Sequence, residues 1–259
     1  MHSYNPRSRR PLQGRVLRDE RTEKRLRRTR WRRIGIALGV LALLISALAL
    51  YRSPLLRVQE VQVVGAIHID PQQVADLASV QGASMLNPPL GRIESRIAAL
   101  PLVKSVQAQR RWPNTVRIEV TERTPWGYWT IGDTPYVIDA EATVLPDVLP
   151  PEGAPVIRDL GGPAKLIPGD RVDVDAVALA QALLQQVPPA LALGIAAFDY
   201  TPQAGLALTT DISYRVVLGD SQNFEYKLAV WRAVEQEIGR EAMTGHVLDL
   251  RFEDRPSLQ

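Results

Sequence analysis

No cysteine occurs among the 259 residues, which removes disulfides, thiolate nucleophiles and cysteine-ligated zinc or iron–sulfur centres. A chain of this length can bury enough surface to be stable without staples, so an oxidising compartment stays open. Histidine is almost as scarce: His2, His68 and His246 stand far apart, and none has a partner at metal-ligand spacing. HExxH, GxSxG, Walker and GxGxxG patterns are also missing. Asp170, Asp173 and Asp175 depart from the EF-hand order and read as turn and helix N-cap residues. Gly161-Gly162-Pro163 reads as loop punctuation, because no strand–turn–helix pattern surrounds it. These absences move the weight from catalysis to binding. No cofactor, metal or small-molecule substrate is expected.

What is present is unevenly placed charge. The net +3 hides a cut at one apolar run: residues 1–33 hold 13 Lys/Arg against 3 Asp/Glu, a net of +10, while residues 52–259 hold 18 against 25, a net of −7. Between them lies "IGIALGVLALLISALALY", residues 34–51, without a single charge. As a helix rising 1.5 Å per residue it spans roughly 27 Å, close to the hydrocarbon thickness of a bilayer. We therefore expect a transmembrane helix over 34–51, with Trp31, Arg33, Tyr51 and Arg52 at the membrane interfaces. Basic flanks stay cytoplasmic, so 1–33 is the cytoplasmic tail and the rest is extracytoplasmic, in single-pass topology.

The rival reading of the run is a signal peptide cleaved near Ala47-Leu48-Ala49, against which stand the long segment before it and its own length. Gly35 and Gly39 have the spacing of a helix-dimer seam, although glycines are common in membrane helices. The tail reads as a topogenic, mostly disordered segment, with anionic lipid or DNA as the rival partner.

Beyond residue 55 the pattern changes to short elements. "RVQEVQVVG" reads as a strand ending at Gly65. In "IDPQQVADLASVQG", Asp70 is the N-cap, Pro71 sits at N1 and Gln73 at N3, and Val74, Leu77 and Ala78 share one face of a helix ending near Gly82. "LGRIESRIAALP" aligns Leu90, Ile93, Ile97 and Leu100 and stops at Pro101. Two strands follow, "VKSVQAQRR" and "TVRIEVTE", joined by Trp112-Pro113-Asn114. If both apolar faces point to one core, Val106 opposes Val120 and Ala108 opposes Ile118. That register needs an odd-numbered loop, and a bulge beside the turn is expected. The economical architecture is two helices on one side of a three-stranded sheet.

This module resembles the POTRA domain of the bacterial cell-division family FtsQ/DivIB. The resemblance rests on V-x-G at Val63 to Gly65, LP-x-V at Leu100 to Val103, and R-x-WPNT-x-x-I-x-V-x-E-R-x-P from Arg110 to Pro125, in order behind one anchor and a basic tail. The last stretch also poses a question of its own, since "RRWPNTVRIEVTERTP" could grip a polyanion. Its alternation puts Val116, Ile118 and Val120 on the core face and leaves Arg117 and Glu119, of opposite sign, on the other, which favours a closing hairpin.

The second module is rich in short strands: "GYWTI", "PYVID", "ATVLP" and "APVIR", then "GIAAFDY", "GLALTT", "SYRVVLG" and a last "HVLDLRFED". Two helices interrupt them. One runs from Asp173 until the prolines at 188 and 189 close it; the other is "NFEYKLAVWRAVEQEI", with Phe224, Leu228, Trp231 and Val234 on one stripe. The fold class is thus α+β: one N-terminal transmembrane helix, a POTRA domain (β-α-α-β-β) over 55–124, and a mixed β-domain with two helices over 125–256.

The resemblance implies a non-enzymatic divisome scaffold at the septum, linking early and late division proteins and controlling septal peptidoglycan synthesis. Its implied partners are FtsB/DivIC-like and FtsL-like proteins, with the peptidoglycan synthase reached indirectly; membrane lipid is the other contact, and no nucleic acid is expected. Family members hold partners near their last strand, and few residues follow it in this chain. His246 to Glu253 is accordingly expected at a sheet edge, with Asp249, Leu250, Arg251, Phe252, Glu253 and Asp254 as the partner site. There Phe252 would be the aromatic anchor and the charges the rim. The competing reading of that strand is Leu248 and Leu250 in the core with protective charges around them. Two other functional classes compete: a POTRA module for polypeptide transport, which would bring POTRA repeats and a barrel, and a membrane-tethered cell-wall enzyme, which would need convergent polar side chains in a cleft.

Overall fold

The computed structural model describes residues 16–161, 165–252 and 256–259. Its first element is α1 (Val16–Arg52), a single helix of 37 residues. Within it Trp31–Ala49 is apolar and long enough to cross a membrane, and its side chains are not packed against the rest of the chain; Leu43 is 70% exposed. The tail expected to be mostly disordered is instead helical from Val16 onward. Pro11 and Gly14 precede the helix, and the Leu, Arg, Lys and Glu residues that follow are good helix formers with no Gly or Pro among them until Gly35. Residues 1–15 lie outside the described residues.

A short 3₁₀ turn (Pro54–Leu56), capped by Ser53, leads into the first module. Its elements are β1 (Glu60–Val64), α2 (Pro71–Ala78), α3 (Leu90–Ile97), β2 (Val103–Arg111) and β3 (Thr115–Glu122). The sheet order is β1-β3-β2, with β3 parallel to β1 and antiparallel to β2. Asp70 caps α2 by accepting from the Gln72 N–H at 2.9 Å. That helix stops at Ala78, short of Gly82, because Ser79 turns left-handed and its hydroxyl bonds back to the Asp76 carbonyl. Val74, Ala78, Ile93 and Ile97 are buried against Val116, Ile118 and Val120.

The register is Val106 opposite Val120 and Ala108 opposite Ile118. The turn is the odd, three-residue Trp112–Asn114, but the irregularity lies at the far end, between Val103 and Ser105, and not beside the turn. Arg111 pairs with Thr115 across the turn, and the ladder stays in register from there back to Ser105. Gly65 stands at φ +88°, and a Cβ on it would meet the Val120 carbonyl oxygen at 2.1 Å, so only glycine fits the end of β1.

The second module is one mixed sheet of eight strands: β4 (Pro125–Ile131), β5 (Thr134–Asp139), β6 (Val156–Asp159), β7 (Ile195–Thr201), β8 (Gly205–Thr210), β9 (Arg215–Gly219), β10 (Val247–Asp249) and β11 (Ser257–Leu258). Their order is β11-β10-β9-β8-β7-β6-β4-β5. Parallel neighbours need long crossovers. Two are helical: α4 (Val174–Leu191) joins β6 to β7, and α5 (Phe224–Ile238) with the short α6 (Arg240–Met243) joins β9 to β10. Val177, Leu183, Leu228 and Trp231 bury these helices in one core with Ile157, Phe198, Leu208 and Val216.

Two expectations are corrected in this module. "ATVLP" forms only isolated bridges, at Thr143 and Val144. Pro188 and Pro189 also do not close α4. The helix continues to Leu191 with both prolines in its last turn, where each forgoes its own N–H bond, and the Pro188 carbonyl accepts from the Ala192 N–H at 2.9 Å.

The modules meet where β3 becomes β4. The Glu122 carboxylate reaches back to accept the N–H groups of Ile67, His68 and Ile69 at 2.8 to 3.0 Å, and the His68 ring lies at 2.9 Å. Arg123 reaches forward, its Nη1 2.6 Å from Asp139 and 2.8 Å from Glu141, which also pairs with Lys104 at 2.7 Å. Leu145 and Val148 of the second module are buried in the first module's core.

Two variants test this frame by thermal or chaotrope unfolding of the solubilised chain. Gly65→Ala should cost on the order of 2–3 kcal/mol, through the positive φ and the carbonyl clash. Glu122→Gln should cost about 2 kcal/mol at neutral pH, the worth of hydrogen bonds to a charged acceptor. Burial pushes the Glu122 carboxyl up, but the three N–H groups and the His68 ring outweigh it, so the group titrates below its usual range. A depressed folded pKa contributes stability above the ordinary value near ~4.3 that is lost as pH falls through the folded one. Wild type and Glu122→Gln should therefore converge in acid.

Candidate functional site

The residues singled out at the C-terminal end fall on β10 and the turn after it. Leu248 and Leu250 alternate inward and are buried, Leu250 at 3% exposure, and the Leu250 N–H donates to the Val217 carbonyl at 2.8 Å. Asp249 and Phe252 are left to the outside. The Asp249 carboxylate takes the Arg251 guanidinium in a two-pronged pair, 2.6 Å from Nη2 and 3.0 Å from Nε, and also accepts the Arg251 N–H at 3.0 Å. Hydrogen bonding by Arg251 holds the Asp249 carboxyl below its usual range despite burial, and the same bonds raise the guanidinium. Arg251 then lies 5.4 Å from the centre of the Phe252 ring, which is 62% exposed. The result is a surface cluster in which Asp249 holds Arg251 and Arg251 lies against Phe252. Glu253 and Asp254 lie outside the described residues.

The expected edge is a correction. β10 is flanked on both sides, by β9 and by β11, with Leu248 opposite Leu258 and Asp249 opposite Ser257. The Val247 N–H donates to the Gln259 carbonyl at 2.9 Å, the Gln259 N–H returns the bond at 3.0 Å, and the His246 ring lies 3.0 Å from the same carbonyl. Nothing in the sequence announced β11. Two residues carry no periodicity, and the sole hint is an apolar Leu258 shortly after Pro256.

Arg251 also closes one side of a cavity of about 480 Å³ that is lined by Asp173, Asp175, Tyr200 and Asp220. Gly219 stands beside it at φ +80°, and a Cβ there would sit 3.0 Å from Arg251 Cγ. The cavity is where convergent carboxylates would do chemistry, and each is already engaged. Asp173 caps α4 at the Ala176 N–H and accepts the Tyr200 hydroxyl, both at 2.8 Å. Asp175 accepts the Ser221 N–H at 2.9 Å and its hydroxyl. Asp220 pairs with the buried Lys227 at 2.9 Å, and that hydrogen bond holds its carboxyl low. Burial and then Asp173 push the Tyr200 phenol far above its ordinary value. In this geometry the carboxylates cap and pair. Asp170, the third of the aspartates weighed as a cation loop, accepts the Ile167 N–H at 2.8 Å. Among the described residues no three His, Cys, Asp or Glu side chains converge on a metal position.

At the other end of the molecule, Trp31, Arg33 and Tyr51 are exposed on α1, and Arg52 is its last residue.

Comparison with known proteins adds independent findings. Residues 56–123 match the family model "POTRA domain, FtsQ-type", and residues 127–251 match "Cell division protein FtsQ/DivIB, C-terminal". Among curated proteins, the cell division protein FtsQ of Chloroflexus aggregans is 30% identical over 196 residues, 72% of this chain and 70% of the relative. That of Chloroflexus aurantiacus is 29% identical over 245 residues, 88% of each chain. That of Corynebacterium glutamicum is 33% identical over 123 residues, 46% of this chain and 55% of the relative.

Replacing Asp249 by Asn should loosen Arg251 and lower stability by about 1 kcal/mol or less at neutral pH, since the guanidinium is a third exposed and screened. Because the folded carboxyl is depressed, the difference from wild type should fade as pH drops below ~4, read as the shift in unfolding midpoint.

Proposed function

The chain belongs to the FtsQ/DivIB family of bacterial cell-division proteins, and from that premise we propose that it is a non-enzymatic scaffold of the division machinery. It has a role in cell division; the finer reading is that it binds FtsB/DivIC-like and FtsL-like proteins and, through them, controls septal peptidoglycan synthesis. The exposed apolar stretch Trp31–Ala49 supports a single-pass anchor in the cytoplasmic membrane. The basic segment before it supports a cytoplasmic N-terminus and extracytoplasmic modules, concentrated at the septum.

The observation that carries the binding site is the Asp249–Arg251–Phe252 cluster beside a sheet that ends in a two-residue strand. A strand from a partner bonds to the sheet backbone at that end, whether outside β11 or in its place, and backbone pairing supplies affinity without side-chain demands. Phe252 then supplies the apolar anchor. Arg251 reads the partner's charge from a position Asp249 has already fixed, so little side-chain entropy is lost on binding. Leu250 contributes packing beneath the surface.

The test is co-purification of FtsB-like and FtsL-like partners with the full chain from membranes. Phe252→Ala, at an exposed position, should weaken capture about tenfold or more, in the range of a hot-spot truncation. Removing Ser257–Gln259 separates the two pairing modes: stronger capture assigns the partner to the place of β11, weaker capture to its outer side. Wild-type capture by both variants would refute this site.

A further inference from the structure

The hairpin turn Trp112-Pro113-Asn114 and the end of the membrane anchor are tied together by two successive hydrogen bonds. The Asn114 amide donates to the Gln59 side-chain oxygen at 2.8 Å, and the Gln59 amide donates to the Pro54 carbonyl at 3.2 Å. The Asn114 carbonyl also accepts the Gln59 N–H at 2.8 Å. Pro54 is the second residue after the end of α1, so it lies within about 7 Å of the helix terminus. The headgroup layer on each side of a bilayer is itself about 5–8 Å deep. The turn is therefore tethered beside the headgroup layer, through one glutamine side chain, to the backbone that leaves the membrane.

What the turn presents there suits that layer. Trp112 is 56% exposed, an amphipathic ring of the kind that settles at membrane interfaces. Arg111 beside it is exposed. Arg110, whose guanidinium donates to the Leu86 carbonyl at 2.8 Å, lines a cavity of about 570 Å³ together with Arg92 and the exposed Leu86. Glu60 is the acidic side chain on the neighbouring strand. Residues 52–259 together carry a net charge of −7, whereas residues 55–124 hold 8 Lys/Arg against 6 Asp/Glu, a net of +2, so the excess of basic groups lies in the module next to the anchor.

We propose that this end of the first module docks on the outer leaflet, with Trp112 in the interface and Arg92, Arg110 and Arg111 bound to the phosphates of anionic phospholipid. The proposal rests on the reading of α1 as a membrane anchor. Docking at two places, helix and hairpin, fixes the tilt of the whole extracytoplasmic part over the bilayer.

The absence of native cysteine makes the test direct. The full chain carrying a single Asn87→Cys, labelled with bimane, is placed in nanodiscs containing lipid with a nitroxide on its headgroup; Gln222→Cys and Ala47→Cys serve as distal and intramembrane controls. In discs containing phosphatidylglycerol, the label at 87 should be quenched about threefold more than that at 222, with the excess reduced in phosphatidylcholine discs. The excess should also fall at 1 M salt, where the screening length shrinks to about 3 Å. The pair Arg92→Gln and Arg111→Gln, or Trp112→Ala, should reduce the excess in the same way. Equal quenching at 87 and 222 while the label at 47 is buried in lipid overturns the docking and leaves the anchor standing. A label at 47 that is not in the bilayer overturns the anchor itself. Quenching at 87 that ignores lipid charge overturns the phosphate contact.

Discussion

Two neighbouring side chains at the end of β3 set the relation between the modules. Glu122 points back and gathers the three N–H groups of the 67–69 turn, while Arg123 points forward to Asp139 and Glu141. Consecutive residues of a strand face opposite ways, so one short run of backbone can bind both modules at once. Asp139 is itself organised, since its other oxygen accepts the N–H groups of Glu141 and Thr143 at 2.9 and 2.8 Å. With Leu145 and Val148 inserted into the first core, the junction is a packed interface rather than a tether.

The junction and the C-terminal cluster lie toward opposite sides of the large sheet. The junction lies at the β5 edge of the large sheet and the Asp249–Arg251–Phe252 cluster on β10 and just after it, and six strand spacings of about 4.8 Å separate β10 from β5 by about 29 Å. The first module's hairpin turn, by contrast, is bonded to the segment leaving α1. The carboxylates that would raise the idea of an enzyme cap α4, hold Ser221 and neutralise Lys227.

The stretch from Arg110 to Pro125 shows how one segment serves several demands. Its core-facing valines and isoleucine close the first sheet, and Arg117 lies 2.9 Å from Glu119 on the other face, so the middle of the hairpin has spent its charges on itself. The arginines nearer the turn have no such acidic neighbour on their own strand.

An uncharged run of membrane-spanning length was enough to read the apolar helix, and alternation and helical spacing were enough to read the order of elements in the first module and the pairing of Val106 with Val120, because these depend on which face of a local element is apolar. The glycine at 65 was legible as a strand end, although the reason for it, the carbonyl of Val120, lies 55 residues away. Sheet order was not legible. Backbone hydrogen bonds are the same for every residue, so periodicity says which side of a strand is buried and not which strand lies beside it. Only the tertiary structure could put β11 outside β10, turn Arg123 toward Asp139, and bring residues 54, 59 and 114 together just past the end of α1. Each of these joins groups far apart in the chain, and it is the packing of both cores that decides whether they meet.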